Sequence, residues 1–132
     1  MKRDMELIRI ILLKIEEKFI DTAIYNLHIN GYDTETVAYH CMLLSDAGLI
    51  TDCRIQYADN GIYSFGVGAL TWEGHDFLDK IRDDSTWHKT KEAIKNKGLP
   101  LIIDTIKTVA TAFITAAAEG IANSVINNGG QV

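Results

Sequence analysis

Apolar residues recur along this chain at two periods, and the switches between them lay out its elements. Leu7, Ile8, Ile11, Leu12 and Ile15 return at three- and four-residue spacing, which predicts a helix from Met5 to Ile15 capped by Asp4. Ile24-Tyr25-Asn26-Leu27-His28-Ile29 alternates apolar and polar positions, the pattern of a short strand, ending at Asn30-Gly31. Asp33 or Thr34 caps a second helix, Glu35 to Ala47, and Gly48 is placed to stop it. Leu49-Ile50 and Cys53 to Tyr57 read as extended. Asp59-Asn60-Gly61 is a turn signal, because Asn and Gly tolerate positive φ. Ile62 to Phe65 returns as the partner strand, with Gly66 and Gly68 loosening its exit.

Thr71 is the expected cap of a third helix, Trp72 to about Asp83, with Phe77, Leu78 and Ile81 as its inner stripe. A lysine-bearing helix follows from Ser85 to Gly98. Gly98-Leu99-Pro100 then breaks the chain, with Pro suited to the first turn of a last helix. From Leu101 to Ile126 the only charges are Asp104, Lys107 and Glu119. Ile102, Ile106, Val109, Phe113 and Ala116 alternate four- and three-residue steps, a heptad-like seam. Ala112, Ala116 and Gly120 form a ridge of small residues that lets two helices approach closely.

The order helix, strand, helix, hairpin, helix is the winged-helix pattern. The segment from Glu35 through Ala47-Gly48-Leu49-Ile50 resembles the recognition helix and following strand of winged-helix regulators. The hairpin from Cys53 to Leu70 falls where the wing belongs, and Leu70-Thr71-Trp72-Glu73-Gly74 resembles the helix entry that follows it. The expected architecture is α+β, mainly α. A winged helix-turn-helix-like domain covers residues 1–84 and a connecting helix 85–98. A long apolar oligomerisation helix then covers 99–127, before a flexible tail at 128–132.

A closer resemblance rests on five short segments and one tryptophan. They are Met1-Lys2-Arg3-Asp4-Met5-Glu6-Leu7-Ile8-Arg9, Ala38-Tyr39-His40 with Ala47-Gly48-Leu49-Ile50, the run from Leu70 to Asp79, and Ile81-Arg82-Asp83-Asp84 with Trp87. Over roughly residues 1–98 these look like a bacterial and phage family known as domain of unknown function 2513. The resemblance implies a prokaryotic or prophage setting and a winged-helix-like fold, and it implies no activity.

At 132 residues and 47% hydrophobic content, the chain fits one compact domain plus an appendage. Cys41 and Cys53 form no CxxC pair and read as reduced thiols of a cytoplasmic protein. Acids within the first turns do not match a signal peptide. The net charge of −5 opposes nucleic acid at long range, and its distribution sharpens the point. Asp33, Glu35, Asp46 and Asp52 crowd the middle without a Lys or Arg among them, whereas Lys89, Lys91, Lys95 and Lys97 face Glu92 alone.

Three fates compete for the last helix. A transmembrane span needs ~20 apolar residues in a row, and only 11 residues separate Lys107 from Glu119, so a membrane is disfavoured. Packing within the chain would bury a helix that is apolar on most faces. Self-association is favoured, because ~26 residues at ~1.5 Å each extend further than so small a domain can cover. A dimer or tetramer through Ile102, Ile106, Val109, Ala112, Phe113, Ala116 and Gly120 is the expectation.

Two function classes follow from the second helix. A duplex-DNA reader would use Thr34, Thr36, Tyr39 and His40, with Arg54 on the wing and Lys89, Lys91, Lys95 and Lys97 beyond it. A protein-docking module would use Tyr39, Met42 and Leu43 as an apolar patch rimmed by acids. An oligomeric adaptor or regulator that contacts nucleic acid through residues outside the acidic middle is the first expectation. An adaptor or inhibitor that never touches DNA is the alternative.

Chemistry at small-molecule scale is not expected. His28, His40, Cys41, Cys53 and His75 show no zinc-site spacing, so no metal or other cofactor is expected. No phosphate-binding glycine loop, HExxH or GxSxG occurs, and Asp76, Asp79, Asp83 and Asp84 read as a solvated helix face. Trp72 is expected to pack over the hairpin and Trp87 to staple the lysine-bearing helix.

Overall fold

The computed structural model describes residues 1–129 and divides into two compact units, Met1–Asp79 and the residues from Lys80 onward. The chain is α+β and mainly helical, with one three-stranded antiparallel sheet and a long C-terminal apolar helix. The first unit holds α1 (Met5–Lys18), β1 (Ile24–Tyr25), α2 (Thr34–Asp46), β2 (Cys53–Ala58), β3 (Gly61–Val67) and most of α3 (Trp72–Ile81). The boundary between units therefore falls inside α3, ahead of the expected domain end at residue 84.

Helix α1 begins where Asp4 Oδ1 accepts the backbone N–H groups of Glu6 at 2.9 Å and Leu7 at 3.3 Å. Its apolar stripe, Leu7, Ile8, Ile11, Leu12 and Ile15, is almost wholly removed from water. The helix runs three residues past Ile15 because Glu16, Glu17 and Lys18 favour helix without adding an apolar signal.

Strand β1 is shorter than the alternation predicts. Asn26 adopts φ +53, which ends the extended run, and the side chain then continues the pairing in place of the backbone. Its Oδ1 accepts from Phe65 N–H at 3.0 Å while its own N–H donates to Phe65 O at 2.7 Å. Leu27 and Ile29 remain buried, so the apolar alternation reports burial without a ladder.

Helix α2 is capped by Asp33, whose carboxylate accepts from Thr36 N–H at 2.8 Å. It ends in a Schellman turn, with Gly48 at φ +74 donating to Ser45 O and Leu49 N–H donating to Leu44 O. The sheet order is β1-β3-β2, with Cys53 opposite Val67 and Ile55 opposite Phe65 on the buried side. The register shifts by one residue beyond Gln56, leaving Tyr63 unpaired as a bulge near the hairpin tip. Gly66 lies inside β3 rather than beyond its exit.

Thr71 caps α3 as expected, accepting from Gly74 N–H at 3.0 Å, and its hydroxyl donates to Gly48 O at 2.5 Å. Trp72 departs from expectation. It is 80% exposed, because Phe77, Leu78 and Ile81 define the buried side of α3 and Trp72 lies on the opposite one.

The second unit pairs α4 (Asp84–Asn96) with α5 (Ile103–Gly129). Its interior is Trp87, Thr90 and Ile94 from α4 with Ile106 and Ala110 from α5. A second Schellman turn at Gly98 ends α4. Pro100 stands three residues before α5 rather than in its first turn. The reason is Thr105, whose Oγ1 accepts Ile102 N–H at 3.2 Å and donates to Pro100 O at 2.6 Å, setting the start at Ile103. Helix α5 runs to Gly129, so residues 128 and 129 of the expected tail are helical, and residues 130–132 lie outside the described residues.

Thr90 is fully buried, and its Oγ1 has no hydrogen-bond partner among the described residues. Burying a hydroxyl unpaired costs about 1 kcal/mol or more. Thr90→Val, which keeps the shape, is expected to raise the thermal unfolding midpoint by a few degrees. A fall instead would mean that the hydroxyl has a partner, such as a bound water.

Candidate functional site

The exposed side of α2 is the candidate site of the first unit, and it is built from what the inner side leaves over. Val37, Ala38, Cys41 and Leu44 face the core. Thr34, Glu35, Met42 and Asp46 are exposed, and Thr36, Tyr39 and Leu43 are half-buried. The outward strip is therefore Glu35, Tyr39, Met42, Leu43 and Asp46, apolar in the middle and acidic at both ends. No Lys or Arg occurs on α2. The hairpin tip approaches the first turn of this helix, since a Cβ on Gly61 would stand 3.3 Å from Glu35 Oε1.

His40 was expected on this surface and is not there. It is completely buried, and both ring nitrogens are engaged. Nε2 accepts the backbone N–H of Asp4 at 2.8 Å, and Nδ1 lies 2.8 Å from Thr36 O. An acceptor at Nε2 requires the proton on Nδ1, so the neutral ring ties the start of α1 to the middle of α2. The Tyr39 ring meets it edge-on at 5.7 Å. This tether sets exposed Lys2 and Arg3 two and one residues from an anchor on α2, which their sequence position does not reveal.

Arg54 lies on the solvent face of the sheet, with Nε 3.5 Å from Asp52 Oδ2, so its charge is already partly answered. That face carries a shallow recess of about 420 Å³ lined by Tyr25, Asp52, Arg54, Gln56, Ser64 and Gly66 among others. The ring of Tyr25 covers Gly66, where a Cβ would meet it at 3.2 Å, and Ser64 donates to Gln56 at 3.1 Å. Sequence reading missed Tyr25 as an outward residue; the signal was a glycine in β3 with room for an aromatic ring from the next strand.

The lysine run belongs to α4 in the second unit. Lys89, Lys95 and Lys97 are exposed, and Lys91 is half-buried with Nζ 5.2 Å from the Trp87 ring centroid, a cation–π contact. Trp87 itself is buried.

On α5 the expected intermolecular seam divides. Ile106 is fully buried inside its own unit, next to α4, and so is Ala110, which the heptad reading passed over. Ile102 and Val109 are half-buried, and Ala112, Phe113, Ala116 and Gly120 are exposed. Ile106 is thus a core residue of the chain, because α4 offers Ile94 and Trp87 to the first turns of α5. By length and composition α5 could cross a membrane, with an 18-residue window of mean hydropathy 1.4.

No three His, Cys, Asp or Glu side chains are grouped for a metal ion among the described residues. Burial pushes the Cys41 thiol up to about 12 and the Cys53 thiol up to about 11, so both are poor nucleophiles at neutral pH.

The fold and site thus define a small α+β chain with an acid-rimmed helix face, a three-stranded sheet and a long apolar helix. The sequence profile of a family described as hypothetical protein (DUF2513) matches residues 2–100, and the chain belongs to that family. An uncharacterized protein of Haemophilus influenzae (strain ATCC 51907 / DSM 11121 / KW20 / Rd) is 44% identical over 116 residues, covering 87% of this chain and 97% of that relative. No solved structure matches.

The His40 tether is directly testable. His40→Phe keeps the bulk but leaves Asp4 N–H and Thr36 O without their partner. The expected loss of stability is about 1–3 kcal/mol, read by urea unfolding. An unchanged midpoint would show that the ring serves only as filler.

Proposed function

We propose that this chain is a non-catalytic docking module in which a winged-helix-type unit binds a protein partner through the outward side of α2. The observation that carries this reading is the composition of that strip, where Tyr39, Met42 and Leu43 lie between Glu35 and Asp46 on a helix without a single cation. Such a surface suits a partner that presents apolar anchors flanked by Lys or Arg, because aromatic and methionine side chains supply adaptable contact area and the acids select the sign of the rim.

The element order α1, β1, α2, β2, β3, α3 and the sheet order β1-β3-β2 support the winged-helix assignment. One departure matters for function. Residues 26–33 between β1 and α2 form no helix, whereas a DNA-reading helix-turn-helix sets a helix there across the phosphate backbone. Non-specific DNA affinity comes almost entirely from phosphate neutralisation. Within the first unit, Lys2 and Arg3 stand next to the tethered Asp4 in sequence, and Arg54 is paired with Asp52. Protein docking is therefore the better reading than duplex binding.

Two measurements test it together. Anisotropy of a labelled random duplex at low salt is expected to stay flat up to micromolar protein, and a rise that falls steeply with added salt would overturn the reading in favour of DNA. In cells of the native host, a photo-crosslinking residue at Leu43 is expected to capture a basic, apolar segment of one protein. Met42→Asp should weaken that capture about tenfold or more while the circular dichroism stays unchanged.

A further inference from the structure

We propose that the distal part of α5, residues 111–127, packs against the same segment of a second copy of this chain. The inference is independent of the α2 reading, since it rests on the other unit. Helix α5 changes surroundings abruptly after Ala110. Ile106 and Ala110 are fully buried beside α4, and every residue from 111 to 127 is exposed. Exposed Phe113, Ile114, Ile121 and Val125 nevertheless fall on the side of the helix that Ile106 and Ala110 occupy, given ~100° per residue. One apolar stripe therefore runs the length of α5, and the chain's own α4 covers only its beginning.

The amount left uncovered points to a second copy. Phe113, Ile114, Ile121 and Val125 are 37%, 41%, 67% and 65% exposed. From one chain they present roughly 400 Å² of apolar surface, before the intervening alanines, over a segment about 25 Å long. Two copies in symmetric contact would bury close to the ~1,000 Å² that a specific interface needs. Glu119 is the one charge in this segment, so the helix carries no cationic face for an anionic membrane or nucleic acid.

Gly120 adds an independent observation. A glycine inside a helix weakens it, and a Cβ at this position would meet nothing within 4 Å in the chain. No neighbour within the described residues requires its small size. Gly120 lies next to Phe113 in projection down the helix, at the edge of the stripe, where a missing side chain allows the close approach of another helix backbone.

Sedimentation equilibrium of the full chain at micromolar concentration is expected to give at least twice the 14.7 kDa chain mass. Gly120→Leu, which has open space in a single copy, and Ile121→Glu should each shift the dissociation constant at least tenfold toward monomer, with helicity retained in the circular dichroism. A monomeric wild type overturns the proposal. So does an assembly unmoved by both substitutions, or a wild-type chain that floats with phosphatidylcholine vesicles and is monomeric in detergent, which would assign the stripe to lipid.

Discussion

The carbonyl of Leu49 lies so close to Gly74 that any side chain at residue 74 would overlap its oxygen, and the first unit depends on that approach. Leu49 O accepts the N–H of Thr71, the Thr71 hydroxyl donates to Gly48 O, and Ile50 bridges Leu70. The turn that ends α2 is thereby fastened to the turn that starts α3, and the hairpin of β2 and β3 is held between them. Gly48 supplies the left-handed turn, Thr71 the cap and Gly74 the missing side chain, so one glycine and a neighbouring Thr and Gly far along the sequence make one joint.

The second constraint is the His40 tether, and its effect on function is indirect. With His40 bonded to Asp4 N–H through one ring nitrogen and to Thr36 O through the other, its imidazole is no longer available at the surface. What remains outward is Tyr39, Met42 and Leu43 between acids. The segments that carry the family resemblance, Met1 to Arg9 with Ala38-Tyr39-His40 and Ala47 to Ile50 with Leu70 to Gly74, coincide with the two sides of these two joints. They mark the family and are silent about a partner.

Element types and most boundaries were legible because periodicity, caps and glycine stops agree locally. Asp4, Asp33 and Thr71 cap where their side-chain chemistry predicts, and Gly48 and Gly98 stop helices where positive φ is required. Two of the misreadings depend on a neighbour distant in sequence and a third on a local side-chain bond. Asn26 replaces a strand residue by bonding to Phe65, His40 is drawn inward by Asp4, and Thr105 moves the start of α5 past Pro100 by a side-chain bond. Trp72 is a different error, since its large apolar area argued for burial while its position on α3 dictated exposure. The candidate site was legible as a composition, acidic and apolar, but not as a surface.

Helix α5 carries one apolar pattern through two different surroundings. A stripe that only packed within the chain would end where α4 ends, and a stripe that only joined chains would leave Ile106 exposed. Here Ile106 and Ala110 are covered by α4, while Phe113, Ile114, Ile121 and Val125 continue the same side with no cover from α4. Burying the first turns fixes the direction in which α5 leaves α4, and a rigid helix then carries that orientation outward along its length. The intramolecular contact thus presents the distal stripe in a set direction at little further entropic cost, because the helix is already formed before anything binds it.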